Sequence, residues 1–415
     1  MNSPVSSGQA LTDELSTAGG RDASALEYDA VLLAGFGGPE GPDDVMPFLR
    51  NVTRGRGIPD ERLVEVSHHY LALDGVSPIN EQNRHLRAAL EAELQRRGVD
   101  LPVLWGNRNW APFLPEVIAS AADDGKVRLL GLATSAYSSY SGCRQYREDF
   151  GLALQSTGLV GKVRIDKVRP YYDQPGFVQP FIDDATVAVQ DALAAGIALA
   201  DIEVVFTTHS IPMTMARTAG SDALGDHDGT GAYVNQHLAV CRVVSSALDT
   251  FFGRPIGWQL AYQSRSGPPS MPWLEPDIND VISDLAGNGR KAVVVIPIGF
   301  VSDHVEVVWD LDNEALETAQ QKGIWFRRVA TPGTDPRFVS ALVDLVMDRL
   351  EPSLAPARRP SPTGLPARPG FCAVGCCVNG RGAKPTTAGQ DSASDWQQYG
   401  VDAATLVASG IRGVG

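Results

Sequence analysis

The sequence predicts an α/β protein of two doubly wound, Rossmann-like halves, each built on a parallel four-stranded sheet. Short runs rich in Val, Ile and Leu recur along the chain, and helical patterns lie between them. Alternation of this kind gives parallel strands covered by helices on both faces. Eight such runs divide four and four around residue 170, and 415 residues are too many for one ordinary core.

In the first half the runs are Ala30–Phe36, Pro102–Gly106, Val127–Thr134 and Val163–Val168. In the second they are Ile202–Thr208, Gly257–Tyr262, Ala292–Phe300 and Ile324–Ala330. Helical periodicity marks Asn80–Arg97, Phe177–Ala195, Tyr233–Phe252 and Phe338–Leu350. The expected organisation is a disordered leader over 1–27, halves over 28–169 and 170–334, and a closing helix over 335–351. A proline-rich linker and cysteine-containing tail fill 352–415. No sequence repeat relates the halves.

Composition narrows the function. A net charge of −14 without a basic stripe argues against nucleic acid as the main partner. No apolar run is long enough to span a bilayer, and the polar leader does not read as a secretory signal. A cytoplasmic protein is the expectation. Five cysteines are few for a disulfide scaffold, and three of them crowd at 372, 376 and 377.

Doubly wound folds bind ligands beyond the carboxyl ends of their strands. Phe36, Asn107, Ser135, His209, Gln263 and Asp303 fall there. The turn Gly35-Phe-Gly-Gly-Pro-Glu40 invites a dinucleotide reading but fails it, because Glu40 stands where the third glycine belongs. The informative pattern is Ser302-Asp-His-Val-Glu306 continuing to Glu314, just past a buried strand. Glu306, Asp310 and Glu314 are spaced by four, with His304 at the helix start. Like charges at this spacing repel unless the face is solvated or holds a cation. Each residue has a bland reading. His209 would be a bonded core histidine, Asp303 and Glu306 a capping arrangement, and Asp310 and Glu314 a solvated face. Together, an imidazole opposite an imidazole-and-carboxylate row fits proton removal coupled to divalent cation traffic. Tryptophans in Gly106–Trp110 and Met271–Pro276, at the same rim, suggest a flat apolar ligand.

These motifs carry a family resemblance. Gly106-Asn-Arg-Asn-Trp110, Thr208-His-Ser-Ile-Pro212, Tyr262-Gln-Ser-Arg-Ser-Gly267, Met271-Pro-Trp-Leu-Glu-Pro276 and Gly299-Phe-Val-Ser-Asp-His-Val-Glu306 resemble, in order, those of ferrochelatases. The resemblance covers about Tyr28 to Leu350. It implies insertion of iron(II) into a porphyrin held between the halves, with His209 and Glu306 on opposite faces of the macrocycle. His304 and Asp303 would assist Glu306. Asp310 and Glu314 would extend a metal or proton path on a helix with π-type turns, and His209, Glu306, Asp310 and Glu314 would be the metal contacts. Porphyrin contacts would come from Phe36, Arg54, Arg56, His69, Ser77, Tyr137 and Trp273. Phe36 replaces a tyrosine found in some bacterial relatives, and His69 replaces an arginine. The tail resembles a subset that binds a 2Fe–2S cluster, implying Cys372, Cys376 and Cys377 as ligands with Cys143 as the fourth. Zinc would suit four thiolates too, and Cys241 reads as a core thiol.

The lip stretch Arg50–Glu65 is polar, with no continuous apolar patch for a bilayer, and Phe48–Gly57 resembles actinobacterial members; together these imply coproporphyrin III as substrate, protoporphyrin being the alternative. A transient contact with the next haem-pathway enzyme is a further expectation. The competing classes are a chelatase for cobalt or nickel, a carrier without turnover, and a nicotinamide oxidoreductase.

Overall fold

The computed structural model describes residues 27–397 except 227–228, 268–269, 352–360, 367 and 383. The expected leader, apart from Glu27, lies outside the described residues, as do the first part of the linker and residues 398–415.

Strands β1 (Ala30–Gly35), β2 (Val103–Asn107), β3 (Arg128–Ala133) and β4 (Arg164–Lys167) form one sheet. Strands β5 (Ile202–His209), β6 (Gly257–Gln263), β7 (Ala292–Ile296) and β8 (Trp325–Arg328) form the other. The orders are β2-β1-β3-β4 and β6-β5-β7-β8, so the second half repeats the strand order of the first. Every pairing is parallel.

The strands form where β-branched and aliphatic residues run together. β7 reads Ala-Val-Val-Val-Ile and is buried on both faces, as a central parallel strand must be. The apolar run continues to Phe300, but the strand stops at Ile296. Pro297 has no N–H for the ladder, and the Ile298 amide turns back to the Ile296 carbonyl (2.8 Å). The chain is thereby turned towards the site.

The helices before β2 are α1 (Pro42–Val52), α2 (Asp60–Leu71) and α3 (Ile79–Arg96). Helix α4 (Leu114–Asp123) precedes β3, and α5 (Gln145–Ser156) precedes β4. Next come α6 (Pro175–Ala194), α7 (Met213–Arg217), α8 (Gly231–Phe252) and α9 (Ile278–Gly287). A single turn α10 (Val305–Val307) runs through a π-helical segment, Val308–Ala315, into α11 (Leu316–Lys322). Helix α12 is Pro336–Leu350, and α13 is Ser392–Gln397.

Helix α12 starts at Asp335, whose side chain accepts the Arg337 amide, with Pro336 in the first turn. It packs on α6 and also on α3, tying the halves together away from the cleft. Phe338 and Val343 are fully buried there, each contributing about 1.5–3 kcal/mol. A Cβ on Gly176 of α6 would lie 2.2 Å from the Arg337 carbonyl oxygen, so only glycine permits this approach. The tail also packs: Trp396 of α13 is completely buried in the core of the first half, beside Phe150 and Leu154.

Candidate active site

His209 is the last residue of β5. Tyr233 of α8 donates its hydroxyl to the His209 carbonyl (2.8 Å) and lies 2.8 Å from Thr208 Oγ1. Thr208 Oγ1 also meets His237 Nε2 at 2.9 Å. This buried group fixes the end of the strand. His209 Nδ1 bonds the Ser210 carbonyl, which leaves Nε2 facing Glu306 Oε2 at 3.4 Å. Solvent reaches both side chains at the cleft wall, 33% and 44% exposed, although protein surrounds most of each. Desolvation opposes both charges, but their mutual attraction wins. His209 is raised above its ordinary range, and Glu306 is held down at about 2. Glu306 is further lowered by His304 and His69.

The acidic row lies on α10 and the π-helical segment. A π turn is wider than an α turn, so residues four apart stay nearly in line. Two rows result. Val307, Leu311, Ala315 and Ala319 are fully buried against the second sheet's layer, while Glu306, Asp310 and Glu314 line the adjacent face. Burial raises Asp310 to about 7; Ser264 pulls it back by a hydrogen bond, and Glu306 and Glu314 push it further up. Glu314 Oε1 accepts from Trp309 Nε1 (2.8 Å), and the Trp309 ring stacks on His69 of α2 (centroids 4.6 Å apart, planes at 11°). The lip of the first half therefore rests on the acidic segment of the second.

Several expected residues take other positions. Asp303 does not cap the helix: His304 occupies the cap position, with no side-chain cap bond. The Asp303 carboxylate faces the Arg328 guanidinium at 3.1 and 3.2 Å and accepts from Thr331, so it anchors the loop. Its amide donates to Gln82 of the first half (2.8 Å). His304 is kept neutral by burial and lies against Phe300. Tyr137 is a core residue, 3% exposed, donating to the Ile298 carbonyl and stacked on His237. Ser77 is 4% exposed and packed beneath Gly38, where a Cβ would meet its side chain at 2.5 Å. Neither offers a free face to a flat ligand. His69 is drawn to Trp309 and the acidic row. Phe36 remains at the rim, 37% exposed. Arg54 and Arg56 are exposed on the loop between α1 and α2. Trp273 is half-buried against Gly267, and its indole N–H has no partner among the described residues.

Gln263 and Ser264 stood in the motif Tyr262–Gly267 with no role assigned, and Tyr70 was missed. Gln263 Nε2 reaches the Glu306 carbonyl and Asp310 Oδ2, each at 3.3 Å. Ser264 donates to the same carboxylate from a left-handed backbone conformation (φ 61°). Tyr70 is buried where Glu306 and Asp310 act on it. Strand-end position and the motif Tyr262–Gly267 were the available signals for Gln263 and Ser264.

Cys143, Cys372, Cys376 and Cys377 converge in one cluster, all unpaired, while Cys241 is buried elsewhere in α8. Cys143 Sγ is 3.9 Å from Cys372 Sγ, and Cys376 Sγ is 3.8 Å from Cys377 Sγ. Two thiolates on one tetrahedral metal, with bonds of about 2.3 Å, stand roughly 3.8 Å apart. Among the described residues no group of three or more metal-binding side chains forms a site for an ion. The donor chemistry nonetheless fits an anionic metal–sulfur group. Cys372 is pulled well below the usual thiol range by bonds from Cys143 and Cys376, and further by Arg147 and Lys167. Arg147 is completely buried, and its Nη1 has no partner among the described residues. The cluster spans the halves, since Cys377 donates its amide to the Gly220 carbonyl (2.7 Å) and accepts the Gly220 amide at Sγ (3.2 Å).

The Ferrochelatase family profile matches residues 28–350. The chain is 56% identical over 372 residues to the coproporphyrin III ferrochelatase of Leifsonia xyli subsp. xyli (strain CTCB07), covering 88% of this chain and 95% of that one. It is 50% identical to the coproporphyrin III ferrochelatase of Streptomyces coelicolor, covering 89% and 98%. It is 46% identical to that of Mycolicibacterium smegmatis, covering 87% and 99%. With His209 facing Glu306 between two matching sheets, these likenesses establish that the chain belongs to the ferrochelatase family.

Proposed function

We propose that the chain inserts iron(II) into coproporphyrin III to give coproheme, a step of haem biosynthesis. The observation that carries the reading is the His209–Glu306 pair at 3.4 Å, continued by Asp310 and Glu314. Insertion replaces two pyrrole N–H protons by one dication. A macrocycle seated between the halves would separate the pair and present one face to each. His209 would accept protons on one side. Glu306 would act on the other, and Asp310 and Glu314 would pass cations or protons along the row. Neutral His304 is a second acceptor beside Glu306, and Asp303 positions the loop through Arg328. Phe36 supplies an apolar wall without a phenol oxygen for the metal.

The choice of coproporphyrin is supported by the named activity of the relatives and by the exposed arginines of the lip. The test is catalytic efficiency for coproporphyrin III and protoporphyrin IX side by side, with iron(II) under anaerobic conditions. A preference for coproporphyrin is expected. A preference for protoporphyrin overturns the substrate and leaves iron insertion standing.

We further infer that Cys143, Cys372, Cys376 and Cys377 hold a 2Fe–2S cluster. The two thiol pairs at 3.8–3.9 Å support it, as does the unpartnered Arg147 N–H in a site rich in positive charge. Such a group supplies electron-transfer capacity or a structural cross-link when bound. Protein purified anaerobically should be coloured, with about two irons and two sulfides per chain. Colourless protein carrying one zinc overturns the assignment. Five unpaired cysteines suit a reducing compartment, so we assign the enzyme to the cytoplasm, where it would pass its product to the next enzyme of the pathway.

A further inference from the structure

A chain of buried polar groups supports the backbone of His209. Thr208, Tyr233 and His237 are 1%, 7% and 0% exposed. Four contacts link them. Tyr233 Oη meets the His209 carbonyl at 2.8 Å and Thr208 Oγ1 at 2.8 Å. His237 Nε2 meets Thr208 Oγ1 at 2.9 Å, and His237 Nδ1 meets the Tyr233 carbonyl at 2.7 Å. The same chain touches the turn that leads to Glu306. A Cβ on Gly299 would lie 2.1 Å from Thr208 Oγ1, so this turn rests directly on the threonine. His237 also stacks on Tyr137 (centroids 3.6 Å apart, planes at 12°), which donates to the Ile298 carbonyl (2.9 Å).

These contacts outnumber the protons available to them. A carbonyl oxygen only accepts, so His237 Nδ1 must carry a hydrogen. Burial lowers the ring to about 3, and no carboxylate among the described residues bonds it, so it is neutral and Nε2 is bare. Nε2 then accepts the Thr208 hydroxyl proton. The Tyr233 hydroxyl is left as the single donor for two oxygens, Thr208 Oγ1 and the His209 carbonyl, both at 2.8 Å. Each is served only in part. With the other tautomer, Thr208 would donate to Tyr233, and Tyr233 wholly to His209. That arrangement would set a bare Nδ1 against the Tyr233 carbonyl at 2.7 Å, lone pair to lone pair.

We propose that His237 is a positioning residue for iron insertion: by taking the Thr208 proton it divides the Tyr233 proton between two oxygens, and so sets how tightly the strand end carrying His209 is drawn towards α8. His237 is wholly buried and acts through Thr208 and Tyr233. This rests on the reading of His209 as the group that acts on the macrocycle. Small displacements of such a group matter, since a shift of about 1 Å can cost about 100-fold in rate.

The test compares full-length holoprotein variants in coproporphyrin III insertion assays and in histidine-labelled NMR. His237→Leu leaves Thr208 no nitrogen acceptor. The Thr208 proton then turns to Tyr233, and the Tyr233 proton goes wholly to the His209 carbonyl. In this variant the His209 carbonyl carbon should move downfield and kcat should fall about 3–10-fold, with KM within about twofold. His237→Gln can bring an amide oxygen to the Nε2 position, and should recover most of the rate. Tyr233→Phe should move the carbonyl carbon upfield, and adding His237→Leu to it should change kcat little further. In the wild type, ring nitrogen NMR should show His237 neutral, with its proton on Nδ1, from about pH 6 to 8. That measurement decides even if His237→Leu misfolds: a proton on Nε2 overturns the inference. So does a His237→Leu enzyme with wild-type kcat, or additive effects of the two substitutions. A wild type that inserts no iron removes the functional reading beneath it instead.

Discussion

In the first half the carboxyl ends of β1, β2 and β3 lead to Phe36, Asn107 and Ser135, none of which titrates near neutrality. In the second, β5 ends on His209, and the chain after β7 leads to His304, Glu306 and Asp310. The strand orders are the same. The first half's strand ends are instead bound to one another. Asn107 donates to Asn80 (3.2 Å), Trp105 donates to Asn107 (3.1 Å), and Asn80 donates to the Gly38 carbonyl (3.0 Å). Shared topology fixes where a ligand can sit, and side-chain chemistry decides which wall reacts. On the proposed function, one half is a seat with a charged lip and the other would carry the proton and metal chemistry.

The strongest way to break this comparison is to remove chemistry from each wall. His209→Ala and Glu306→Gln should each lower kcat by at least about 100-fold, with porphyrin binding changed much less. Phe36→Ala should raise KM and leave kcat within about threefold. Steady-state kinetics with parallel binding titrations decide it. A kcat loss at Phe36 as large as at His209 would show that both walls react.

The cysteine centre joins the two walls, so its removal should affect both. Cys143→Ser should bleach the protein and lower Tm by at least about 4 °C. Cys241→Ala should keep full colour and iron content, because that thiol is buried apart from the cluster. Retained colour in Cys143→Ser would detach the first half from the centre.

Next in size is the seat. Asn107→Ala strands the Trp105 N–H and the Asn80 side-chain oxygen, which should cost about 1–3 kcal/mol of stability. At 25 °C the folded enzyme should retain most of its turnover. Thermal unfolding alongside activity would separate this pattern from that of His209→Ala. Lost turnover at unchanged Tm would make Asn107 a participant in the chemistry.

The eight strands were legible because each is a short apolar run between helical patterns, and the acidic row because its spacing of four is visible on paper. Strand-end chemistry at His209 and Gln263 followed from topology. Other features depended on three-dimensional packing that residue types do not reveal. Ser77 and Tyr137 have polar groups suited to a ligand, but close packing under Gly38 and against His237 commits them to the interior. Asp303 looked like a cap, yet Arg328, 25 residues later, takes its carboxylate. His69 belongs to a lip helix, and no local pattern indicates that it meets Trp309.

The smallest expected effect sharpens the chemistry of the reacting wall itself. Burial raises Asp310 to about 7 from an ordinary 3.8. Between these values the folded protein binds a proton that the unfolded chain has released. Stability contributed by Asp310 therefore falls as pH rises through this window and stays low above it. Asp310→Asn keeps the neutral state at every pH. The variant should match the wild type near about pH 4 and exceed it above about pH 7, by on the order of 1 kcal/mol after allowance for screening. Activity should move the other way. Ionised Asp310 adds negative charge to the cation path, so the wild-type insertion rate should climb as pH passes about 7. Asp310→Asn should lose that climb and run about 3–10-fold slower above it. Thermal scans and initial rates across the same pH series measure both. A variant that is no more stable above pH 7, or whose rate still climbs there, would remove Asp310 from the path and leave the reacting wall to His209 and Glu306.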